Sequence, residues 1–293
     1  MSDKRNEIRE VHEMDEKHEP NRLKETSETT PLVRGARRSE GAKRSRSGTL
    51  SGKVALVTGG GAGIGKAVSL ALGKAGAAVM IDYLSRKELA DSVAKEIHAI
   101  GGKSRTVRAD VSLPGGARTV VEATIRSFGR LDILVNNVGS FLHKPILAVK
   151  PEEWCGVIQN NLNSVFYCSS QAIPHMRKQG WGRIVNIGVA GCDDIRAFPN
   201  TTAYNIAKTG ILILSKSLAR EVAPFGITVN VVAPGMVDTG ILSKPAMKKL
   251  AERIPMKRVA SPEEVARAIV FLISDDASYI TGSCITISGG WLL

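Results

Sequence analysis

Val54-Ala-Leu-Val-Thr58-Gly59-Gly-Gly-Ala-Gly63-Ile64-Gly65 decides how this chain is read. Four apolar residues predict a buried strand, and the glycines behind them mark a sharp turn into a helix. Glycine at 59, 63 and 65 lets backbone approach a pyrophosphate, whose charge the N-terminus of the following helix favours. Such a turn alone also suits an ordinary tight bend. Its place between a strand and a helix makes it a candidate dinucleotide loop.

Outward from this loop, from Lys53 on, short apolar runs alternate with longer amphipathic stretches, the pattern of repeated βα units around a parallel sheet. Strands are expected at 54–57, 77–83, 104–108, 133–136, 183–187, 228–232 and 283–287. Helices are expected at 64–75, 86–100, 114–128, about 151–179, 202–224 and 262–274, the last with Ser261 as N-cap and Pro262 at N1. A variable segment runs from 236 to 254. The fold class is therefore α/β, one doubly wound domain over residues 51–293. Residues 1–50 are dense in charge, with Glu7, Glu10, Glu13, Asp15, Glu16 and Glu19 followed by a basic stretch from Arg34 to Arg46. They are too poor in apolar side chains to offset chain entropy and are expected to form a disordered tail. The acids argue against an organelle presequence.

Of the 293 residues 43% are apolar, ordinary for a soluble globular protein. No run reaches the ~18 apolar residues of a membrane span, and the first residues lack a secretory h-region, so a cytoplasmic location is expected. Cys155, Cys168, Cys192 and Cys284 are scattered, with no Cys-x-x-Cys or Cys/His cluster, and read as reduced thiols without a metal. The formal charge of +12 invites a nucleic-acid reading. The cations of the main body form no stripe with interleaved aromatics, attraction for an anionic cofactor or substrate explains part of the charge equally well, and nucleic acid is not expected.

About 140 residues beyond the loop stands Tyr204-Asn-Ile-Ala-Lys208. Four apart on one helix, the phenol and the ammonium share a face. A free tyrosine titrates near ~10, and a cation within ~4–6 Å favours its phenolate. Lys208 is therefore expected to lower the Tyr204 pKa toward useful acid/base work near neutral pH. A glycine loop for a dinucleotide followed by a helical Tyr/Lys pair points to hydride transfer.

Thr58-Gly-x-x-x-Gly-x-Gly65, Asn136-Asn137-Val138-Gly139, Tyr204-x-x-x-Lys208 and Pro234-Gly235 follow one another in this order, and residues 51–293 resemble the short-chain dehydrogenase/reductase superfamily throughout. Within it the chain looks most like the branch holding 3-oxoacyl-carrier-protein reductases and many sugar, steroid and polyol dehydrogenases. The resemblance implies a seven-stranded Rossmann sheet, a homo-oligomer (dimer or tetramer), a small carbonyl or alcohol substrate and no metal. It implies that Asp110 and Val111 hold the adenine and that Asn137 and Gly139 lie along the cofactor. Pro234, Gly235, Val237 and Thr239 would contact nicotinamide and phosphate. Asn161 would position a water and Lys208 in a proton relay, with Tyr204 as acid/base.

After the fifth strand this chain departs from the family. Members usually carry a serine there, which hydrogen-bonds the substrate oxygen about 13 residues before the tyrosine. Here Ile187-Gly188-Val189-Ala190-Gly191-Cys192-Asp193-Asp194 follows, with no hydroxyl until Thr201. Losing one preorganised donor can cost on the order of 3 kcal/mol. Asp193 or Asp194 could swing in as a protonated donor, as in pteridine reductases that resemble this family, with Phe141 as the stacking aromatic. Alternatively Tyr204 alone holds the oxygen, or the protein binds cofactor as a regulator or scaffold with little turnover.

Cofactor choice rests on Met80-Ile81-Asp82-Tyr83-Leu84-Ser85-Arg86. An acid at the end of the second strand selects NAD, and a cation favours the 2′-phosphate of NADP. Counting from Gly76, the family's NAD-selecting acid falls at Tyr83; Asp82 comes one residue early, and its side chain is expected on the other face. Ser85 and Arg86 would lie near the phosphate, so NADP(H) is favoured over NAD(H).

Overall fold

The computed structural model describes residues 50–240 and 243–292. The expected tail lies outside the described residues except for Leu50, which is buried and donates its N–H to the Ala75 carbonyl. Seven strands, all parallel, form one sheet: β1 (Val54–Val57), β2 (Ala78–Tyr83), β3 (Ser104–Arg108), β4 (Ile133–Asn136), β5 (Gly182–Ile187), β6 (Ile227–Pro234) and β7 (Cys284–Ile287). Their order is β3-β2-β1-β4-β5-β6-β7. The inner strands β1, β4, β5 and β6 are buried at every position, which explains why their sequences show little alternation of apolar and polar residues.

Helices cover both faces. On one side α1 (Gly63–Lys74), α2 (Lys87–Ala99) and α8 (Pro262–Ile273) pack with Val57, Ile81 and Val135; on the other α3 (Pro114–Phe128) and α5 (Ser164–Gln179) pack with Leu56, Leu134 and Ile184. α8 is fixed at its start by a reciprocal capping box between Ser261 and Glu264, with Pro262 at the first position, as the sequence predicts. Between β1 and β4 the strand order reverses. Doubly wound sheets bind ligands at this point, beyond the carboxyl ends of the strands.

Two elements differ from the sequence expectation. The helix expected at about 151–179 is α4 (Pro151–Ile158), a π-helical turn (Gln159–Asn163) and then α5. One added residue in the turn rephases the side chains, a change that apolar periodicity does not register. The variable segment holds a further helix, α7 (Lys244–Arg253), capped by Ser243. α6 (Thr202–Val222) is the helix expected to bear Tyr204 and Lys208.

Candidate active site

The glycine loop is shaped by close packing. Gly59 and Gly63 lie at φ +60° and +51°, a region costly for any residue with a Cβ. A Cβ on Gly65 would overlap the Gly59 carbonyl oxygen and come within 2.7 Å of Asn137 Nδ2. Asn137 ties the loop to the end of β4. Its Nδ2 donates to the carbonyls of Thr58 and Gly59 at 3.0 and 3.2 Å, and its backbone N–H donates to Thr58 Oγ1 at 2.9 Å. Thr239 closes the far side, its methyl 3.2 Å from where a Gly63 Cβ would stand.

A cleft of about 500 Å³ runs along these residues, lined also by Tyr83, Ser85, Arg86, Asp110, Val111 and Gly139. The sequence-predicted cofactor residues from the first four strands thus converge on one groove. Ser85 and Arg86 are exposed at its lip, and Arg86 makes no ion pair among the described residues. Asp110 is committed to its own loop, its carboxylate accepting from Ser112 N–H and Oγ. Val111 is buried in the core. Past β6, Gly235 backs onto Ser288, where a Cβ would come within 2.9 Å of backbone, and Val237 bridges to Ala260.

Asp82 points opposite to Tyr83, as alternation along β2 requires, and turns inward to the glycine loop. Its Oδ2 accepts the Gly59 N–H at 3.2 Å, and its Oδ1 is buried without a partner. Burial pushes this carboxyl up to about 7, although the Gly59 and Ala109 amides oppose the shift.

Tyr204, Lys208 and Asn161 come together beyond β4 and β5. Lys208 is buried and its Nζ donates to the Ile187 carbonyl at 2.8 Å; it lies 5.6 Å from the centroid of the Tyr204 ring. Asn161, at the centre of the π-helical turn, donates from Nδ2 to the carbonyls of Ser140 and Val157, both at 2.9 Å. Its Oδ1 is buried and unpartnered. That oxygen is 2.6 Å, and Lys208 Nζ 3.5 Å, from the point a Cβ on Gly139 would occupy. A side chain at 139 would fill the space both atoms address. The turn seats on α6 because residue 210 is glycine, where a Cβ would meet Leu162 at 2.9 Å.

Electrostatics here differ from the sequence expectation. Burial pushes the Tyr204 phenol up to about 12 and the Lys208 ammonium down to about 8. Desolvation therefore outweighs the help that Lys208 was expected to give Tyr204.

The segment lacking the serine is a turn. Asp193 and Asp194 are exposed, and Asp194 pairs with Arg196 at 3.3 Å. Neither is buried, so the expectation that one fills the gap is corrected: an exposed carboxylate gains more from water, and Asp194 from Arg196, than from entering the cleft. Phe141 does stand beside the site, edge-on to Tyr204 with centroids 5.1 Å apart at 82°.

Sequence reasoning missed a buried polar chain beneath the site. Asn136 Nδ2 donates to Asn186 Oδ1 at 2.8 Å, Asn186 Nδ2 to Ser215 Oγ at 2.8 Å, and Ser215 Oγ to the Ile211 carbonyl at 2.6 Å. Its one sequence signal is an asparagine near the end of each of two largely apolar strands, β4 and β5.

Residues 59–292 match the family described as enoyl-(acyl carrier protein) reductase. A 3-oxoacyl-(acyl-carrier-protein) reductase of Synechocystis is 39% identical over 246 residues, covering 83% of this chain and 98% of that protein. A Thermotoga maritima protein of the same description is 39% identical over 248 residues, covering 83% and 99%. Among solved structures, a mutant short-chain dehydrogenase/reductase from Serratia marcescens superposes with a TM-score of 0.79 at 34% identity, covering 84% of this chain and all of that one. A dehydrogenase/reductase from Sinorhizobium meliloti gives 0.76 at 32%, covering 82% and 95%. With its seven-stranded sheet, glycine cradle and Tyr/Lys helix, this chain belongs to the short-chain dehydrogenase/reductase superfamily, NAD(P)-dependent oxidoreductases that act on carbonyl and alcohol groups.

Proposed function

We propose that this chain is an NADP(H)-dependent carbonyl reductase whose first substrate class is the 3-oxoacyl thioester, the class in the names of its relatives. The observation that carries the reading is the meeting of Lys208 Nζ and the unpartnered Asn161 Oδ1 at Gly139, which lines a cleft with a glycine cradle, with the Tyr204 ring centroid 5.6 Å from that ammonium. The residues fit a nicotinamide dinucleotide. Gly59, Gly63 and Gly65 clear backbone for a pyrophosphate, and Ser85 with Arg86 would take the 2′-phosphate. Asn137, Gly139, Pro234, Gly235, Val237 and Thr239 would hold the nicotinamide half. When bound, that group supplies or accepts the hydride.

The chain's own residues manage the proton. Tyr204 donates from its phenol to the carbonyl oxygen during reduction and takes the proton back in the reverse direction. Burial pushes the phenol up to about 12, so Tyr204 keeps its proton at neutral pH and has it available for the carbonyl oxygen. Lys208, held on Ile187, offers its ammonium to the ribose hydroxyls and to the charge developing on Tyr204. Asn161 Oδ1 holds a water that returns the proton through Lys208. With no serine after β5, the substrate oxygen relies on Tyr204 alone, and Phe141 forms an apolar wall beside it. The exposed carboxylates of Asp193 and Asp194 give the pterin reading no donor.

A homo-oligomer is part of the proposal. α5 and α6 present Phe166, Ile206 and Ile213, 47–63% exposed, on surfaces that no described element covers. Among the described residues no helix is long and apolar enough to cross a membrane. The test is oxidation of NADPH against 3-oxoacyl thioesters, with ketones, quinones and dihydropterins as competing classes. Turnover lost in Tyr204→Phe while NADPH still binds supports the reading. Cofactor binding without turnover on every class overturns it in favour of a regulator.

A further inference from the structure

Cys192 and Cys284 are 92 positions apart in sequence, yet their Sγ atoms are 4.0 Å apart. Cys192 is fully buried in the turn after β5; Cys284 opens β7 and is half-buried. The sequence reading of four scattered thiols does not anticipate this pair. The two thiols are no metal site, since no group of three or more His, Cys, Asp or Glu among the described residues could hold an ion. The surroundings are apolar, with Ile211, Val231 and Ala233 packed around the sulfurs.

We propose that Cys192 and Cys284 are a dithiol that closes to a reversible disulfide and thereby restrains the turn behind Lys208. A disulfide places its sulfurs about 2.05 Å apart, so closure asks for about 2 Å of approach. The turn can supply it, because Gly188 and Gly191 flank Cys192 on its N-terminal side and Gly191 sits at φ +78°. β7 is held in register against β6, with Cys284 opposite Val231, and acts as the fixed partner.

The pair is coupled to the site by two contacts. Ile187, which carries Lys208 Nζ on its carbonyl, directly precedes Gly188. The Cys192 carbonyl accepts Thr209 Oγ1 at 3.0 Å, and Thr209 follows Lys208 on α6. Pulling Cys192 toward β7 therefore loads both sides of the lysine.

Hydrogen peroxide is the oxidant class, approaching beside half-buried Cys284. The Cys192 thiolate attacks one peroxide oxygen and breaks the O–O bond, giving a sulfenic acid and, with a proton, one water. The Cys284 sulfur then displaces the sulfenic oxygen as a second water. Two S–H bonds and one O–O bond are lost, and one S–S bond and two O–H bonds form; the sulfurs are oxidised and the peroxide oxygens reduced. Either thiol can donate to the other, and when Cys284 donates it holds the Cys192 thiolate down against the opposing effect of burial.

The test uses the full chain. Protein treated with hydrogen peroxide is alkylated, digested without reductant and mapped by mass spectrometry, with amide hydrogen exchange followed over residues 187–192. The expected result is a Cys192–Cys284 cross-linked peptide released by dithiothreitol, together with slower exchange in the turn. NADPH-dependent turnover should fall about tenfold or more and return with reductant, as expected for a roughly 1 Å displacement of a site group. Cys284→Ser and Cys284→Ala should keep wild-type turnover and be indifferent to peroxide. The proposal is overturned if no cross-link forms at peroxide levels that oxidise exposed Cys155. It is equally overturned if Cys284→Ser is inactivated like the wild type, or if the cross-link leaves exchange in the turn unchanged. Mapping and exchange do not depend on turnover, so an inactive wild type would count against the carbonyl-reductase reading alone.

Discussion

Lys208 Nζ donates to the Ile187 carbonyl at 2.8 Å, so its ammonium is anchored on the last residue of β5 instead of on Tyr204, one helical turn away. The anchor gives the cation a fixed position between the cofactor cleft and the phenol. It also means that a buried charge is held by a single neutral acceptor, which is why burial dominates its titration.

That cost has a sign that can be measured. The folded pKa of Lys208 is about 8, below the ~10.4 of an unfolded lysine. Between these values the unfolded chain binds more protons, so this group makes stability rise with pH over that window. Urea unfolding from pH 7 to 10 should show the wild type gaining on Lys208→Met as pH rises, by about 3 kcal/mol at most. An unchanged difference across the range would refute burial as the cause.

Asp82 supplies the opposite case. Its folded pKa of about 7 lies above the ~3.9 of an unfolded aspartate, so its contribution is present below pH 4 and lost as pH rises through 7. Asp82→Asn keeps an acceptor for the Gly59 N–H without the buried charge. The variant should be more stable than wild type at pH 8 and close to it at pH 4, by chemical denaturation at both.

Gly65→Ala should disrupt the cofactor cradle, because the added methyl meets the Gly59 carbonyl and Asn137 Nδ2. Overpacking of this kind costs about 1–3 kcal/mol. Fluorescence titration with NADPH should show binding weakened by about tenfold or more, whereas Gly115→Ala, with open space around it, should bind normally.

Asn161→Ala removes the unpartnered Oδ1 proposed to hold the relay water. Turnover should fall by about 10²-fold, with NADPH affinity kept within a few-fold. Equal loss of binding and turnover would instead assign Asn161 to holding the π-helical turn through its bonds to Ser140 and Val157.

Ile213→Glu places a charge on the exposed apolar face of α6. Light scattering should find the wild type oligomeric and the variant dissociated; a monomeric wild type would overturn the oligomer proposal.

Much of this was legible from residue order. The loop Thr58–Gly65, the strand runs and the Tyr204/Lys208 spacing depend on local periodicity and on residue types that few other roles require. Tertiary contacts decided the rest. Asp193 and Asp194 read as candidate donors until the turn placed both in solvent, Asp194 beside Arg196. The π-helical turn that aims Asn161 shows no break in apolar pattern, and the Asn136–Asn186–Ser215 chain joins residues that sequence separates widely.

By itself, the sequence determined a doubly wound parallel sheet with a dinucleotide cradle and a Tyr/Lys pair on one helix face, because the first follows from the alternation of short apolar runs with amphipathic stretches, the second from glycines between a strand and a helix, and the third from a four-residue helical spacing. Only the tertiary structure decided the protonation state that Tyr204 and Lys208 favour, the burial of Asp82 against Gly59 and the approach of Cys192 to Cys284. Those depend on how much water and which neighbours surround a group once distant strands close together, and neither quantity is carried by neighbours in the chain.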